Sequence, residues 1–448
     1  MRSHRLGTSF ILFALGTLLA SAPLVTAATF TVTNTNDTGA GSLRQAIIDA
    51  NADSIIDSIV FAIPEGSCTA NGVCTITLAS GLPDITEGVD IDATTQTRYG
   101  TAATNVCAAA SSPSYMRVLV TSSTDFVFSS TAAGETTFRG LAISGGPSVI
   151  GIRIDSDAGT KVQCNHFGTD GPGTTPLEMS YGVTVAWWAA GGGNVTIGTD
   201  GDGVDDLAER NVFGGGGYGI YINTGNVLYP NRISGNFFGV GADGTTPINP
   251  GLGIYMRQGA TQNLIGSDLN GTSDEFERNV FANLSTGMRI HGFLSSGGNN
   301  KVVGNWFGID AHARPAPITG SAISLGSDGQ NQEIHHNQIL GNTIGIEVNG
   351  TATLAATSGQ NCIVGNSTGL QHSGSEIDLD AEDNYWGAAD GPSGIGSGSG
   401  DGILESGTGT VNFTPWLTSP ATVCIVIFYD GFEGGDSSAW SSVVGLAP

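Results

Sequence analysis

The chain has 448 residues, with 15 basic and 40 acidic side chains, a formal net charge of −25 and 69 glycines. Nucleic-acid binding needs clustered lysine and arginine to neutralise phosphates, so this charge balance argues against a nucleic-acid partner. The glycines follow no strict three-residue period, which excludes a collagen-like helix. The slightly positive mean hydropathy also separates the chain from charged, disordered proteins.

Residues 1–27 have the pattern of a secretory signal peptide. Arg2 and Arg5 precede a short apolar run, and small residues ending at Ala27 provide a cleavage site. The apolar run is too short to cross a membrane comfortably, so a transmembrane anchor is the less favoured alternative. We therefore predict a secreted protein, extracellular or at the cell surface, with no transmembrane anchor after cleavage.

Six cysteines follow the predicted cleavage site, and an even number in an exported chain indicates disulfide bonds. Cys68 and Cys74 flank a turn-rich loop, and we predict that they form a disulfide with each other. The remaining four allow three pairings, and the sequence leaves the choice open: Cys107, Cys164, Cys362 and Cys424. A metal site is the alternative, but no C-x-x-C or Cys/His cluster supports it.

Residues 28–125 are predicted to form an N-terminal cap and the first coils of the fold. Ser42 and Gln45 have the spacing of a helix capping box. The residues that follow form one apolar helical stripe: Leu43, Ala46, Ile47 and Ala50. We predict a short amphipathic helix that covers the open first coil and blocks edge-to-edge association.

Residues 126–417 carry a short repeat, in which a glycine is followed by an apolar, an outward-facing and a second apolar residue. The clear copies begin at Gly151, Gly182, Gly219, Gly253 and Gly287, and weaker copies begin at Ala322, Gly345 and Glu376. The first, third and fifth clear copies are 68 residues apart. Asparagine-led segments recur between them, so each unit is predicted to contain three short strands.

Period-2 alternation in these strands places Ile220 and Ile222 on one face and Tyr221 on the other. Strands this short cannot bury their apolar face alone. Stacking like strands about 4.8 Å apart creates a continuous core and pairs the backbone groups. The recurrent asparagines could contact sugars, but we favour internal hydrogen-bond ladders at the turns.

Several segments carry a family resemblance. The opening Phe30–Ile47 resembles that of many secreted β-helix and surface proteins, and Asp383–Gly387, Asp390–Gly394 and Thr414–Leu417 resemble the late segments of nitrous-oxide-maturation-type β-helix repeats. The chain thus resembles bacterial proteins of the pectate-lyase-like superfamily. The resemblance implies an all-β, right-handed parallel β-helix with a short N-terminal capping helix, followed by a C-terminal tail at residues 418–448. It is weak for activity, because this fold hosts lyases, hydrolases, epimerases and inert adhesins.

Stacking is predicted to align the outward positions of the repeat in one column. The column comprises Arg153, Thr184, Tyr221, Tyr255, Arg289, Ser324, Glu347 and Asp378, and His291 lies on the same face. Tyrosine rings suit sugar stacking, and arginine can pair with carboxylates through two parallel hydrogen bonds. An ordinary solvated sheet face is the alternative. Of the adjacent Trp187 and Trp188, one would face solvent as a ligand platform or be covered by an insertion.

Alternate units carry an acidic insertion that suits Ca²⁺, because oxygen ligands recur at alternate positions. The candidate ligands are Asp200, Asp202, Asp205 and Asp206 in one unit and Asp268, Asn270 and Asp274 in the other. Polar turn chemistry is the alternative explanation. The other units carry Gly-Thr-Thr-Pro loops at residues 173–176 and 244–247. Insertions that alternate in this way would build walls beside the coil and enclose a groove.

The strong repeat and the lack of a matched catalytic set favour a non-catalytic role. We expect a secreted or surface-exposed protein that presents an extended face to polysaccharides, cell-surface glycans or other partners. The alternative is a polysaccharide lyase or glycoside hydrolase that acts through the arginine and tyrosine column. A passive structural filament or adhesin is a third reading of the same repeats.

Overall fold

The structure is a computed structural model. It describes residues 26–109, 112–155, 158–185, 193–223, 230–248, 251–257, 259–291, 298–327, 329–373 and 377–420, together with Cys424. The predicted signal peptide up to residue 25 lies outside the described residues, as does the tail beyond residue 420 apart from Cys424.

Three sheets form the body of the molecule. Sheet A contains ten strands: Thr29–Val32, Asp57–Phe61, Val89–Asp92, Thr137–Arg139, Lys161–Gln163, Thr196–Gly198, Arg232–Ser234, Leu264–Gly266, Lys301–Val303 and Glu333–His335. Sheet B also contains ten: Cys74–Leu78, Val118–Ser122, Leu141–Gly145, His166–Phe167, Val212–Phe213, Phe237–Phe238, Val280–Phe281, Trp306–Phe307, Gln338–Leu340 and Cys362–Val364.

Sheet C contains eleven strands: Phe126–Ser130, Ile150–Ile154, Met179–Val185, Gly216–Ile222, Leu252–Arg257, Thr286–His291, Ser321–Leu325, Ile344–Asn349, Thr368–Ser373, Pro392–Gly394 and Gly400–Glu405. Leu379–Asp380 and Val411–Asn412 form a separate pair. The helical segments are the α-helices Leu43–Ala50 and Asp274–Glu277 and the 3₁₀ turns Glu65–Ser67, Ala93–Thr95 and Asp206–Glu209.

From Thr137 to Asn349 the chain visits sheets A, B and C in turn, and the described strands in all three sheets pair in parallel. Ile220 is registered with Ile254, and Ile254 with Met288, so residues 68 apart lie two rungs apart in the same sheet. All three side chains are fully buried. The structure therefore confirms the predicted parallel β-helix and its 68-residue double coil.

A ladder of stacked phenylalanines fills the core beneath sheet B. Successive ring centroids lie 4.8, 4.8, 4.7 and 4.6 Å apart along the series Phe167, Phe213, Phe238, Phe281 and Phe307. The repeat glycines pack against these rings: a Cβ added at Gly219 would lie 2.9 Å from Phe238 and 2.7 Å from the Gly253 carbonyl oxygen. The glycine that leads each of the clear copies from Gly182 to Gly287 is therefore closely packed, with no room for a Cβ.

Buried asparagines form hydrogen-bond ladders at the corners of the coil, as predicted. In the longest ladder, each side-chain amide donates to the side-chain oxygen of the asparagine on the next rung. It comprises Asn165, Asn211, Asn236, Asn279, Asn305, Asn337, Asn361 and Asn384. These side chains satisfy backbone groups where the chain turns, and they are not available to a sugar.

The N-terminal helix forms where the sequence predicted it. The Ser42 side chain accepts a hydrogen bond from the Gln45 backbone N–H, and the predicted apolar stripe is buried. The capping box is incomplete, since the Gln45 side chain donates to Asp49 and does not return to Ser42. The helix packs on the first two strands of sheet A and caps this end of the core.

Three disulfides cross-link the chain: Cys68–Cys74, Cys107–Cys164 and Cys362–Cys424. The first closes the turn-rich loop, and the second and third resolve the pairing that the sequence left open. Disulfides of this kind are compatible with an extracellular protein. Within the described residues, no helix has the length and apolar character needed to cross a membrane.

Candidate functional site

The outward face of sheet C aligns most of the predicted column. The register joins Arg153 to Thr184, then in turn Tyr221, Tyr255, Arg289, Ser324 and Glu347. The next residue in the column is Gln371, and the prediction of Asp378 at this position is wrong. Asp378 lies outside sheet C, where its carboxylate accepts hydrogen bonds from Thr410. The sequence prediction began this copy of the repeat at Glu376. The true strand was not recognised, because the fully buried His372 occupies the inward position that an apolar residue holds elsewhere.

Two tyrosines that the sequence did not single out complete an aromatic cluster on this face. Tyr181 and Tyr218 stack with ring centroids 4.9 Å apart, and the Tyr181 and Tyr221 rings pack edge to face with centroids 5.5 Å apart. The centre of the Tyr255 ring lies 5.9 Å from that of Tyr218 and 5.6 Å from that of Tyr221. Tyr181 and Tyr218 each precede a repeat glycine, a position that simple alternation assigns to the core. The signal was the recurrence of tyrosine before glycine in two successive repeats.

The tyrosines differ in exposure. Tyr221 is only 6% exposed, and Thr184 and Ser324 are buried. Tyr181, Tyr218 and Tyr255 are partly exposed. Tyr221 therefore supports its neighbours from beneath and cannot offer an open ring face to a ligand.

Two arginines and a histidine surround Tyr255. The guanidinium carbons of Arg257 and Arg289 lie 5.7 and 5.9 Å from the centre of the Tyr255 ring. Arg257 also donates a hydrogen bond to the Tyr221 hydroxyl at 3.4 Å. The His291 ring meets the edge of Tyr255 with centroids 6.2 Å apart. We call these residues the tyrosine–arginine platform: Tyr181, Tyr218, Tyr221, Tyr255, Arg257, Arg289 and His291.

The charges on the platform favour a neutral His291. Burial lowers the pKa of His291, and the nearby positive charge of Arg289 lowers it further. The Nε2 atom of His291 and the Nε atom of Arg289 are buried without a hydrogen-bond partner among the described residues. The neutral imidazole can accept a proton.

Glu347 supplies a negative charge two rungs from Arg289. Its Oε2 atom accepts a hydrogen bond from the Ser321 hydroxyl at 2.7 Å. Burial alone would raise the pKa of Glu347, but hydrogen bonds from Asn349, Ser321 and Ser324 and the charge of Arg289 lower it overall. Glu347 is therefore held as a carboxylate.

Arg153 stands apart from the platform. Its side chain pairs with Asp155 at 3.2 Å and Asp84 at 3.6 Å, donates to Ser129 and covers the Phe126 ring at 4.6 Å. These contacts neutralise Arg153 and fix its position. Trp187 and Trp188, the other predicted platform residues, lie outside the described residues.

Both acidic insertions lie between sheets A and B. Asp200, Asp202 and Asp206 offer carboxylate oxygens within 4.8 Å of one another, and so do Asp268, Asp274 and Glu277. The other two candidates play different roles. Asp205 takes a left-handed conformation before the 3₁₀ turn, and the Asn270 side chain accepts a hydrogen bond from the Thr272 backbone N–H at 2.7 Å. Glu277 was not among the predicted ligands, because it lies beyond the alternating positions.

Cations on sheet A neutralise these loops unequally. Lys161 approaches Asp200 at 3.6 Å, but it is also near Glu135 and is partly exposed. Arg232 is held more firmly, since it pairs with Asp268 at 3.1 Å and with the buried Glu277. The first loop is therefore the better candidate for Ca²⁺.

The Gly-Thr-Thr-Pro loops lie between sheets B and C. Each is closed by an antiparallel bridge, at Thr169–Pro176 and Val240–Pro247, and a third, divergent loop spans Ile309–Pro315. The loops stack, because Ala242 donates to the Gly173 carbonyl and Ala311 to that of Gly244. The acidic insertions therefore precede strands of sheet B, and the Gly-Thr-Thr-Pro loops follow them. The walls predicted from the sequence thus border sheet B on two sides.

No protein-family model and no curated protein matches the chain. Similar solved structures include the A-module of mannuronan C-5 epimerase AlgE6 from Azotobacter vinelandii, at 9% identity and a TM-score of 0.45, covering 87% of this chain and 95% of that one. ORF18 of Geobacillus virus E2 is 13% identical with a TM-score of 0.30, covering 86% of this chain and 62% of that one. Neither similarity is high enough to inform function.

Proposed function

We propose that the protein is secreted and binds acidic polysaccharide along the tyrosine–arginine platform of sheet C. The observation that carries this proposal is the platform itself, in which partly exposed tyrosines and two arginines cluster on four consecutive strands. Membership of the pectate-lyase-like superfamily, which the sequence resemblance implies, belongs to the same proposal. We propose a binding role, because the repeat is strong and no catalytic set of residues matches a known family.

Two contacts would contribute to recognition. Tyr181, Tyr218 and Tyr255 offer ring surfaces on which sugar rings can stack. Arg289 forms no ion pair with a described residue, so its guanidinium can take a sugar carboxylate in two parallel hydrogen bonds. Arg153, which is already paired, supplies the contrast within the same face. Since Arg289, unlike Arg153, forms no ion pair with a described residue, we propose an acidic ligand.

A second candidate function is lyase activity on the same polysaccharide, and the state of His291 favours it. A neutral imidazole can take the proton α to the sugar carboxylate while Arg289 pairs with that carboxylate. The electron pair then forms a carbon–carbon double bond as the glycosidic oxygen leaves, protonated by the Tyr255 hydroxyl. Hydrolysis is less well supported, because Glu347 is held ionised and is a poor general acid.

A polysaccharide screen separates these functions. Wild-type protein would be incubated with polygalacturonate, alginate and a neutral glucan, and both retention on the polysaccharide and the ultraviolet absorbance of unsaturated products would be followed. We expect retention on an acidic polymer without product formation. Product formation that Arg289→Ala abolishes would establish the lyase. If the protein is retained on none of the three polymers and forms no product, both functions are refuted.

A further inference from the structure

A cavity that is separate from the tyrosine–arginine platform lies over the outward face of sheet B. Its volume is about 450 Å³, within the range of small-molecule sites. Segments that are distant in the chain line it, including the loop Val240–Pro247, the divergent loop Ile309–Pro315, the 3₁₀ turn of the first acidic insertion and a strand of sheet B. The lining comprises Ala108, Ala109, Ser112, Pro113, Leu207, Arg210, Phe237, Ala242, Asp243, Gly244, Ala311 and His312.

The remaining wall is a hairpin from the first coils. Ala109 and Ser112 exchange backbone hydrogen bonds, and Cys107 ties the base of the hairpin to Cys164 between sheets A and B. The Ser114 hydroxyl contacts His166 Nε2 at 2.7 Å. The described residues on either side of this bridge are therefore held over sheet B, where they line one side of the cavity.

Arg210 carries the charge that defines the site. Its guanidinium carbon lies 4.1 Å from the centre of the Phe237 ring, and Nε donates to the Gly235 carbonyl at 2.9 Å. Its terminal nitrogens have no hydrogen-bond or ion-pair partner among the described residues. Burial, followed by the charge of Arg278, lowers the pKa of Arg210 to about 10, so the side chain stays positive at neutral pH.

The repeat offers an internal comparison one double coil further on. Arg278 stacks over Trp306 at 4.1 Å, as Arg210 does over Phe237. The negative charge of Glu275 acts on Arg278. The residue 68 positions before Glu275 is Leu207, on the cavity wall. The first copy thus has an apolar residue where the second has an acid, and only Arg278 feels a nearby negative charge.

We propose that this cavity binds a small organic carboxylate, whose anionic group takes the place of the missing acid beside Arg210. A partly buried charge without a counter-ion is costly, and a bound anion reduces that cost. Asp243 does not serve as the counter-ion. Its carboxylate forms no ion pair with Arg210 and is occupied by hydrogen bonds from Thr245 and Thr246 in its own turn. The volume of the cavity favours a compact ligand.

Calorimetry with galacturonate, digalacturonate and citrate tests the proposal, with galactose and inorganic phosphate as contrasts at constant ionic strength. We expect at least one carboxylate to bind with one-to-one stoichiometry, and Arg210→Gln to weaken it about tenfold or more, since charged hydrogen bonds are strong. Leu207→Glu should weaken binding as much while leaving the melting temperature unchanged or higher, because it supplies the acid found in the second copy. Arg278→Gln is the matched control and should bind normally.

The outcomes are decisive in either direction. The carboxylate site is refuted if no carboxylate binds, if galactose or phosphate binds as tightly, or if Leu207→Glu binds like wild type. Because Tyr255→Ala leaves this cavity untouched, it should keep carboxylate binding even if it loses polysaccharide. Failure here therefore leaves the proposal for sheet C standing.

Discussion

At the residue scale, the glycines of the repeat act through the space that they leave. Gly182, Gly219, Gly253 and Gly287 are absent from the positions with positive φ, so left-handed backbone does not explain them. A Cβ added at any of these glycines would instead press against a phenylalanine ring and a neighbouring carbonyl oxygen. The sequence showed where these glycines recur, whereas the reason became visible only once sheets B and C were stacked.

We predict that Gly219→Ala destabilises the fold by about 1–3 kcal/mol, because overpacking forces shifts in neighbouring groups. The measurement is the free energy of unfolding in urea. Gly146→Ala is the control, since a Cβ there meets nothing within 4 Å. Equal effects of the two substitutions would contradict the packing explanation.

His166 makes stability depend on pH. It is fully buried beneath the first Gly-Thr-Thr-Pro loop, and burial lowers its pKa from 6.5 to about 4. The unfolded chain binds a proton below about pH 6.5 and the folded chain does not, so stability falls as the pH drops from about 6.5 towards 4.

We predict that His166 accounts for about 2 kcal/mol of stability lost between about pH 7 and pH 5. His166→Gln should flatten this part of the stability curve, measured by urea unfolding at the two pH values. His312→Gln, at an exposed histidine, should leave the slope unchanged. A slope that His166→Gln does not alter would show that His166 is protonated in the folded protein.

At the element scale, the sequence predicted strands well and insertions less completely. Alternation and spacing placed Ile220, Ile254 and Met288 in register, because stacked strands repeat one physical environment. The outward bend at Tyr181 and Tyr218 broke simple alternation and was missed. The hairpin tied down by Cys107 could not be placed over sheet B, since its contacts come from distant parts of the chain.

The two acidic insertions differ in their counter-ions, and we propose that only the first binds Ca²⁺. Calorimetry should show one weak site, with Kd of about 10⁻⁴–10⁻³ M, as in extracellular calcium modules. Asp206→Asn should abolish the heat, while Asp274→Asn, the matched change in the second loop, should not, because Arg232 already neutralises that loop. Absence of heat in calcium-stripped wild type, or equal losses in both variants, would contradict this assignment.

At the scale of the whole molecule, the three sheets present different outward surfaces. Sheet A carries cations that pair with acidic loops, sheet B is covered by loops and a hairpin, and sheet C carries the tyrosine–arginine platform. The protein as a whole is strongly acidic. The positive charge of Arg289, which forms no ion pair with a described residue, therefore marks the surface at which a polyanion can approach despite the net charge.

The most direct test of this account is a titration of wild-type protein and single variants with one acidic polysaccharide that wild type retains. We predict that Tyr255→Ala and Arg289→Ala weaken binding about tenfold or more, because each removes a stacking or charged contact. Lys301→Ala, which removes an exposed cation from sheet A, should bind like wild type. If both sheet C variants bind like wild type, or if Lys301→Ala loses as much affinity as they do, sheet C is not the binding surface.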